Sequence, residues 1–356
     1  MKKVLVVGGG AAGMMAAYFA AKEGAQVTIV EKNKLLGRKI RITGKGRCNV
    51  TNASDLETII KNIYRNGNFM YSSLYSFTND DLMDLFRSFG LDLKTERGNR
   101  VFPVSDRAID VVRTMEKMLD SQGVKIKTGA RVKSLIIDQA RAKGLVLADG
   151  KKLFSDKIIL ATGGKSYPLT GSTGDGYIMA QQCGHKVTSL YPSLIGMETI
   201  GEIKKELVGL NLRNISIDLY KNNKKIYDDF GELEFRDYGL DGPVINSSSC
   251  YIDDFQKNNY RLMLDLKPAL SSEKLDARIL RDFDKYSKSG IEAGLKDLLP
   301  KRMIGYIIDR LAIDGKKPVH QVSKEERQGL LSLIKGISFD IKRLRPMDEA
   351  IITEGG

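Results

Sequence analysis

Val4-Leu5-Val6-Val7-Gly8-Gly9-Gly10-Ala11-Ala12-Gly13, continuing to Gly24 and then Val27-Thr28-Ile29-Val30-Glu31, is the stretch whose reading decides the fold. Val4 to Val7 form an uninterrupted apolar run, as expected of a strand buried on both faces of a parallel sheet. Residues 11 to 23 carry the small and apolar side chains of a close-packed helix, and Gly24 supplies its stop. Val27 to Val30 read as a second strand with Glu31 at its carboxyl end. The turn between strand and helix is G-x-G-x-x-G. Gly8 permits a tight turn, Gly10 lets backbone approach a pyrophosphate, and Gly13 lets helix and strand pack closely. The free amide hydrogens and positive partial charge of the helix N-terminus face the diphosphate, and Glu31 is placed to accept hydrogen bonds from an adenosine ribose. Strand, helix, second strand and acid in register make this a dinucleotide-binding βαβ unit.

A chain of 356 residues is long for one core, so two or three compact units are expected. No apolar run reaches the length of a membrane span, and Met1-Lys2-Lys3 leads straight into a strand without a secretory h-region. The cysteines Cys48, Cys183 and Cys250 lie far apart with no C-x-x-C, which argues against a disulfide framework or dithiol pair and for a reducing cytoplasm. The chain has only two histidines, His185 and His320, which argues against a His-based metal site, and no metal is expected. The net charge of +13 is scattered (Lys204-Lys205, Lys221 to Lys225, Lys316-Lys317, Lys342 to Arg345). Without interleaved aromatics it argues for a positive field that attracts anionic cofactors and against dedicated nucleic-acid binding.

Further along, helices are expected over 55–65, 79–89 and 106–122, the last capped by Ser105. A strand follows over 124–128, then a hairpin around Ala148-Asp149-Gly150 and a buried strand over 157–161. Near Tyr191-Pro192 the texture changes. Ile215, Ile217 and Leu219, then Ile226, then Leu233 and Phe235 alternate with polar residues and are broken by Asn222-Asn223 and Gly231, the pattern of an antiparallel sheet or barrel. Residues 271–313 read as a helical cluster with Pro300 opening one helix, and Ser323 with Glu326 forms a capping box for a last helix that Gly336 ends. Ile337 to Leu344 and Ala350 to Thr353 read as strands returning to the first sheet. The expected fold is therefore α/β: a Rossmann-type nucleotide domain (1–190 plus 337–356) with an antiparallel β-barrel-like insert (191–270) and a small helical insert (271–336).

The glycine fingerprint alone does not choose between FAD and NAD. Ile158-Ile159-Leu160-Ala161-Thr162-Gly163-Gly164, a distant strand ending in A-T-G, resembles the strand that returns beside the first in the two-dinucleotide-binding flavoproteins and favours FAD. Gly37-Arg38-Lys39-Ile40-Arg41-Ile42-Thr43-Gly44-Lys45-Gly46-Arg47-Cys48-Asn49-Val50-Thr51-Asn52 is a glycine-rich basic loop suited to a diphosphate and to the negative charge of a reduced flavin. Together with Arg100-Val101-Phe102-Pro103, Gly171-Ser172-Thr173-Gly174-Asp175-Gly176, Gly184-His185 and Leu240-Asp241-Gly242-Pro243, these motifs resemble the YhiN/BaiN family of NAD(P)/FAD-dependent oxidoreductases over essentially the whole chain.

The resemblance implies a flavin domain with a β-barrel-like insert and a helical insert. It implies FAD contacts at Gly8, Gly10, Ala11, Ala12, Gly13, Glu31, Lys32, Arg38, Lys39, Cys48 and Asn49. It also places the backbone of Val132 at the adenine edge and Thr162 and Gly163 along the diphosphate. Family members continue for a few dozen residues past the point matching Thr353-Glu354-Gly355-Gly356, and loss of that tail would weaken FAD retention.

The expected activity is reduction of an activated C=C bond, of the enone type and as in oxo-bile-acid or steroid-like substrates. NADH or NADPH reduces the flavin, and flavin N5 passes hydride to a hydrophobic small molecule. Only one G-x-G-x-x-G is present, so the nicotinamide would dock without a second Rossmann unit. Catalytic residues are not identified: Tyr167, Tyr238 and Cys48 are candidate proton donors, each better explained as packing, and Cys48 lacks the partner of a thiol relay. Two alternatives stand beside this reading, a flavin-dependent RNA-modifying or RNA-binding protein and a catalytically silent flavoprotein.

Overall fold

Alternation along the first strand sets up the layers of the first unit. In the computed structural model, which describes residues 1–356, β1 (Lys3–Val7), α1 (Ala11–Lys22) and β2 (Gln26–Val30) form the expected βαβ unit. A four-stranded parallel sheet runs in the order Lys157–Leu160, β1, β2, Lys125–Lys127. Successive side chains point to opposite faces. Val4, Val6, Val27 and Ile29 pack with Met14 and Ala17 of α1 and with Val111, Val112 and Met115 of the helix Ala108–Ser121. Leu5, Val7 and Val30 face the other way, onto Val132, Leu145 and Leu147 of a three-stranded antiparallel sheet. Both faces of β1 are thus covered, which is why its sequence is apolar without interruption.

The strand Lys157–Leu160 sits at the sheet edge and is not the buried strand expected from its composition: Leu160 is 38% exposed. Ser105 does not cap the helix that follows it. Asp106 takes a left-handed backbone (φ 54°), and the helix starts at Ala108 with Arg107 as its uncapped N-cap. The helix expected over 55–65 is cut to Leu56–Lys61, with Asp55 accepting from Thr58 N as its cap.

The chain divides into two compact units, Met1–Tyr191 with Ile352–Gly356, and Pro192–Ile351. In the second, six antiparallel strands close a barrel in the order Met197–Thr199, Gly239–Asp241, Lys224–Arg236, Asn211–Lys221, Tyr260–Asp265, Ile337–Leu344. Ile337–Leu344 does not return to the parallel sheet. Ile337, Phe339 and Ile341 point inward with period two, and the strand joins Tyr260–Asp265 to Met197–Thr199, which removes the two free edges of the barrel sheet. The helices Ser272–Lys285, Ile291–Leu295, Lys301–Leu311 and Lys324–Lys335 share one continuous core with the barrel, so barrel and helical inserts form a single packed unit. The capping box of Ser323 and Glu326 forms as the sequence indicates. No helix is long and apolar enough to cross a membrane, and no cluster of His, Cys, Asp or Glu is arranged to hold a metal ion.

Candidate functional site

Close approach of β1, α1 and the strand Lys157–Leu160 builds one end of a cavity of 780 Å³ in the first unit, a volume typical of a bound cofactor. Gly8 has φ 106° and its Cα faces the Ala161 carbonyl, where a Cβ would stand 2.4 Å from the oxygen. A Cβ on Gly13 would lie 1.9 Å from the Gly8 carbonyl oxygen. Gly10 differs from both: a Cβ there would meet nothing within 4 Å. Gly10 is also the N-cap of α1 and offers no side-chain cap, so the first amides of the helix open onto the cavity that Gly10, Ala11 and Ala12 line. Uncapped amides beside empty space at a helix N-terminus are the arrangement that binds a diphosphate.

Glu31 is buried at the end of β2. Its Oε2 accepts from Gly9 N (2.6 Å), and its Oε1 accepts from Asn33 N and Asn33 Nδ2 (both 2.7 Å). Those bonds leave lone-pair capacity for ribose hydroxyls while fixing the carboxylate. Glu31→Ala is therefore expected to act twice. Loss of ribose hydrogen bonds weakens FAD by about 1–3 kcal/mol, and the orphaned Gly9 amide lowers apoprotein stability by a similar amount. Flavin titration and thermal melts of the apoprotein check the two parts, and unchanged affinity would refute the ribose role.

Of the residues expected at the cofactor, Gly8, Gly10, Ala11, Ala12, Glu31, Lys32, Arg38, Lys39, Cys48, Asn49, Val132, Thr162 and Gly163 all line this cavity. Gly13 does not; it serves the contact between helix and strand. Lys32 donates to Asp175 Oδ2 (2.8 Å) and Thr173 Oγ1 (2.6 Å), so part of its hydrogen-bonding capacity is spent within the protein. Burial pushes the Asp175 carboxyl up, but Lys32, Thr173 and Arg131 outweigh it and hold the group below its ordinary range. Arg38 donates to Asn33 Oδ1 (2.7 Å), and the Lys39 ammonium donates to the Ser166 carbonyl (2.9 Å) with its pKa lowered by burial. Cys48 is buried at φ 62°, and burial raises its thiol pKa against an opposing hydrogen bond with Thr43, so the group is a thiol at neutral pH and not a nucleophile. With its side-chain oxygen and nitrogen exchanged, Asn49 donates to Thr51 O (3.0 Å) and Val101 O (3.2 Å).

Tyr167 and Tyr238 are absent from the cavity wall. Tyr238 belongs to the second unit, where it donates to Asp241 Oδ2 (2.8 Å) under the Arg345 guanidinium. Residues beyond the expected cofactor contacts also line the cavity: Asn33, Asp175, Tyr177, and an apolar wall of Met15, Val50, Leu82, Phe86, Val111 and Met115. The Gly171–Gly176 string carried a signal for Asp175. Val50 belongs to the Gly37–Asn52 string, whereas the helical wall residues carried no signal beyond periodicity, because a side chain lining a cavity and one filling a core have the same spacing.

Cradle, buried acid, flanking cations and cavity size fit a dinucleotide of the FAD type. The HI0933-like protein Rossmann domain family matches residues 2–356. The 3-dehydro-bile acid delta(4,6)-reductase of Clostridium scindens is 29% identical over all of this chain and 87% of its own length. A ribosomal RNA dihydrouridine synthase of Haemophilus influenzae is 26% identical over 99% of the chain and 85% of its own. Among solved structures, the open conformation of a flavocytochrome c3 fumarate reductase is similar at 17% identity over 96% of this chain and 66% of that one, with a TM-score of 0.43. The chain belongs to the HI0933-like Rossmann-domain family and is an FAD-dependent oxidoreductase.

Proposed function

We propose that this flavoprotein uses NADH or NADPH to saturate a carbon–carbon double bond conjugated to a carbonyl. The observation that carries the reading is the two-sided cavity, in which the diphosphate cradle at Gly8 to Ala12 continues into the apolar wall of Met15, Leu82, Phe86, Val111 and Met115. An apolar ring system can be held against that wall with water displaced. The two named relatives support the same bond chemistry. One is named for reducing a bile-acid derivative, and dihydrouridine is uridine with its C5=C6 bond, conjugated to a carbonyl, saturated.

Bound FAD supplies hydride transfer between the nicotinamide and the alkene. The protein's part is to bind, orient and stabilise charge. Cationic Lys39, fixed on Ser166 O at the cavity wall, favours negative charge developing in the site. Oxo-bile-acid or other steroid-like enones are the substrate class that an apolar wall favours.

A second reading keeps the bond chemistry and replaces the small molecule with RNA. Its support is the charge distribution: 30 Lys and Arg against 18 Asp and Glu in the first unit, and 27 against 26 in the second, so the positive surplus belongs to the flavin-binding unit. Such a field attracts polyanions as well as cofactors.

One experiment separates the readings. Mixed anaerobically with NADH or NADPH, the chain is expected to bleach its flavin, and a steroid enone is then expected to restore the colour and emerge saturated. Reoxidation by uridine-containing RNA, falling steeply with salt, in place of the enone would select the RNA reading. A flavin that neither nicotinamide reduces would select the catalytically silent alternative and overturn the proposal.

A further inference from the structure

Arg47 lies in the loop that carries Ile40, Thr43, Cys48 and Asn49 to the cavity wall, yet does not line the cavity itself. Its guanidinium engages two carboxylates and a ring instead. Nε donates to Asp106 Oδ1 (2.7 Å), Nη2 stands 2.6 Å from the same oxygen and also donates to Glu96, and the group lies 4.2 Å over the Phe102 ring. Lys94 holds the other oxygen of Asp106 at 2.5 Å. One planar fork therefore ties the loop to the strand Leu93–Glu96, to the strand Arg100–Pro103 and to the turn before the helix Ala108–Ser121.

The segment so held is strained. Lys45 and Cys48 take left-handed backbone at φ 58° and 62°, flanking Gly46, and Asp106 on the far side of the fork does the same at 54°. Non-glycine residues stay in that region only where their surroundings enforce it. Within it, Cys48 N donates to Thr43 O (3.0 Å) and Arg47 N to Gly44 O (3.2 Å). Arg47 holds the Glu96 carboxyl below its ordinary range, and Lys94 followed by Arg47 does the same for Asp106, so the cluster stays ionised at neutral pH.

All three partners are partly exposed, and such pairs contribute little to stability. Their value here is geometric. A guanidinium spans two carboxylates in one plane, whereas an ammonium does so poorly.

We propose that Arg47 is a positioning residue for the cofactor. Without touching it, Arg47 sets the Cys48–Asn49 wall through the ion cluster with Glu96 and Asp106. The inference rests on the cavity being the FAD site.

The test titrates FAD into the full-length apoprotein for wild type, Arg47→Gln, Arg47→Lys, Glu96→Gln, Asp106→Asn and the Arg47→Gln/Asp106→Asn pair. Apoprotein melting and the visible circular dichroism of bound flavin are recorded alongside. Arg47→Gln is expected to raise the FAD Kd at least 10-fold and alter the flavin dichroism while the apoprotein melting temperature stays nearly constant. Arg47→Lys recovers only part of the affinity, and the double variant is no worse than Arg47→Gln alone. An unchanged Kd in Arg47→Gln, or additive effects in the double variant, would overturn the proposal. Should Arg47→Gln not fold, Glu96→Gln decides: a raised Kd supports the role and an unchanged one removes it. A wild-type chain that takes up no FAD would sink the cofactor assignment and this inference with it.

Discussion

Gly10→Val is expected to give a folded, colourless protein. The backbone at Gly10 has φ −80° and ψ −174°, open to any residue, and an added Cβ meets no protein atom within 4 Å. The two methyl groups would instead occupy the space before the uncapped amides of α1, where the diphosphate has to approach. Losing that contact removes the interaction of two phosphates with the helix N-terminus, and affinity is expected to fall by about 4 kcal/mol, roughly 1,000-fold. The apoprotein melting temperature should stay close to that of wild type. Flavin absorbance of the purified protein and a titration with added FAD check the outcome, and a variant that purifies yellow with wild-type affinity would show that the diphosphate does not lie against Gly10. The smaller Gly10→Ala should lose only part of the affinity, since a single methyl leaves more of the cradle open.

The glycine-rich end of the cavity was legible in sequence because its shape is set by backbone. A strand, three glycines at fixed spacing and an acid at the end of the next strand leave little freedom, so Gly8, Gly10 and Glu31 could be placed without coordinates. Side-chain partners were harder to see. Asp175, which engages Lys32, stands far from it along the chain and no local pattern joins the two, while Asn33, which fixes Glu31 from only two residues away, lies outside the glycine fingerprint. The apolar wall was hidden for a different reason. Phe86, Val111 and Met115 follow ordinary amphipathic spacing, and periodicity reports the buried face of a helix without saying whether that face meets protein or ligand. Strand assignment failed in the same way at Ile337–Leu344. Its alternation gave the right element and its proximity to the C-terminus suggested the wrong sheet, because pairing partners are set by which edges need closing and not by the strand alone.

Gly13→Val should do the opposite of Gly10→Val, although only three positions separate them. Its Cβ would stand 1.9 Å from Gly8 O, 3.0 Å from Gly8 C and 3.3 Å from Ala161 Cβ. The two nearest atoms are backbone and cannot rotate aside, so α1 would have to lift from β1 and uncover part of the core around Val6, Met14 and Ala17. Overpacking a core against movable side chains costs about 1–3 kcal/mol, and a clash with the fixed backbone of the turn that follows β1 should exceed that range. About 4 kcal/mol in a unit of this size corresponds to a fall of roughly 8–16 °C in melting temperature. Apoproteins must be compared, because saturating FAD raises the stability of whichever variant still binds it. A Gly13→Val apoprotein melting with wild type would mean that helix and strand do not touch where these distances put them. If the melting point falls here and holds in Gly10→Val, one glycine serves the packing of α1 on β1 and the other serves the anion, and the sequence motif resolves into two separable physical requirements.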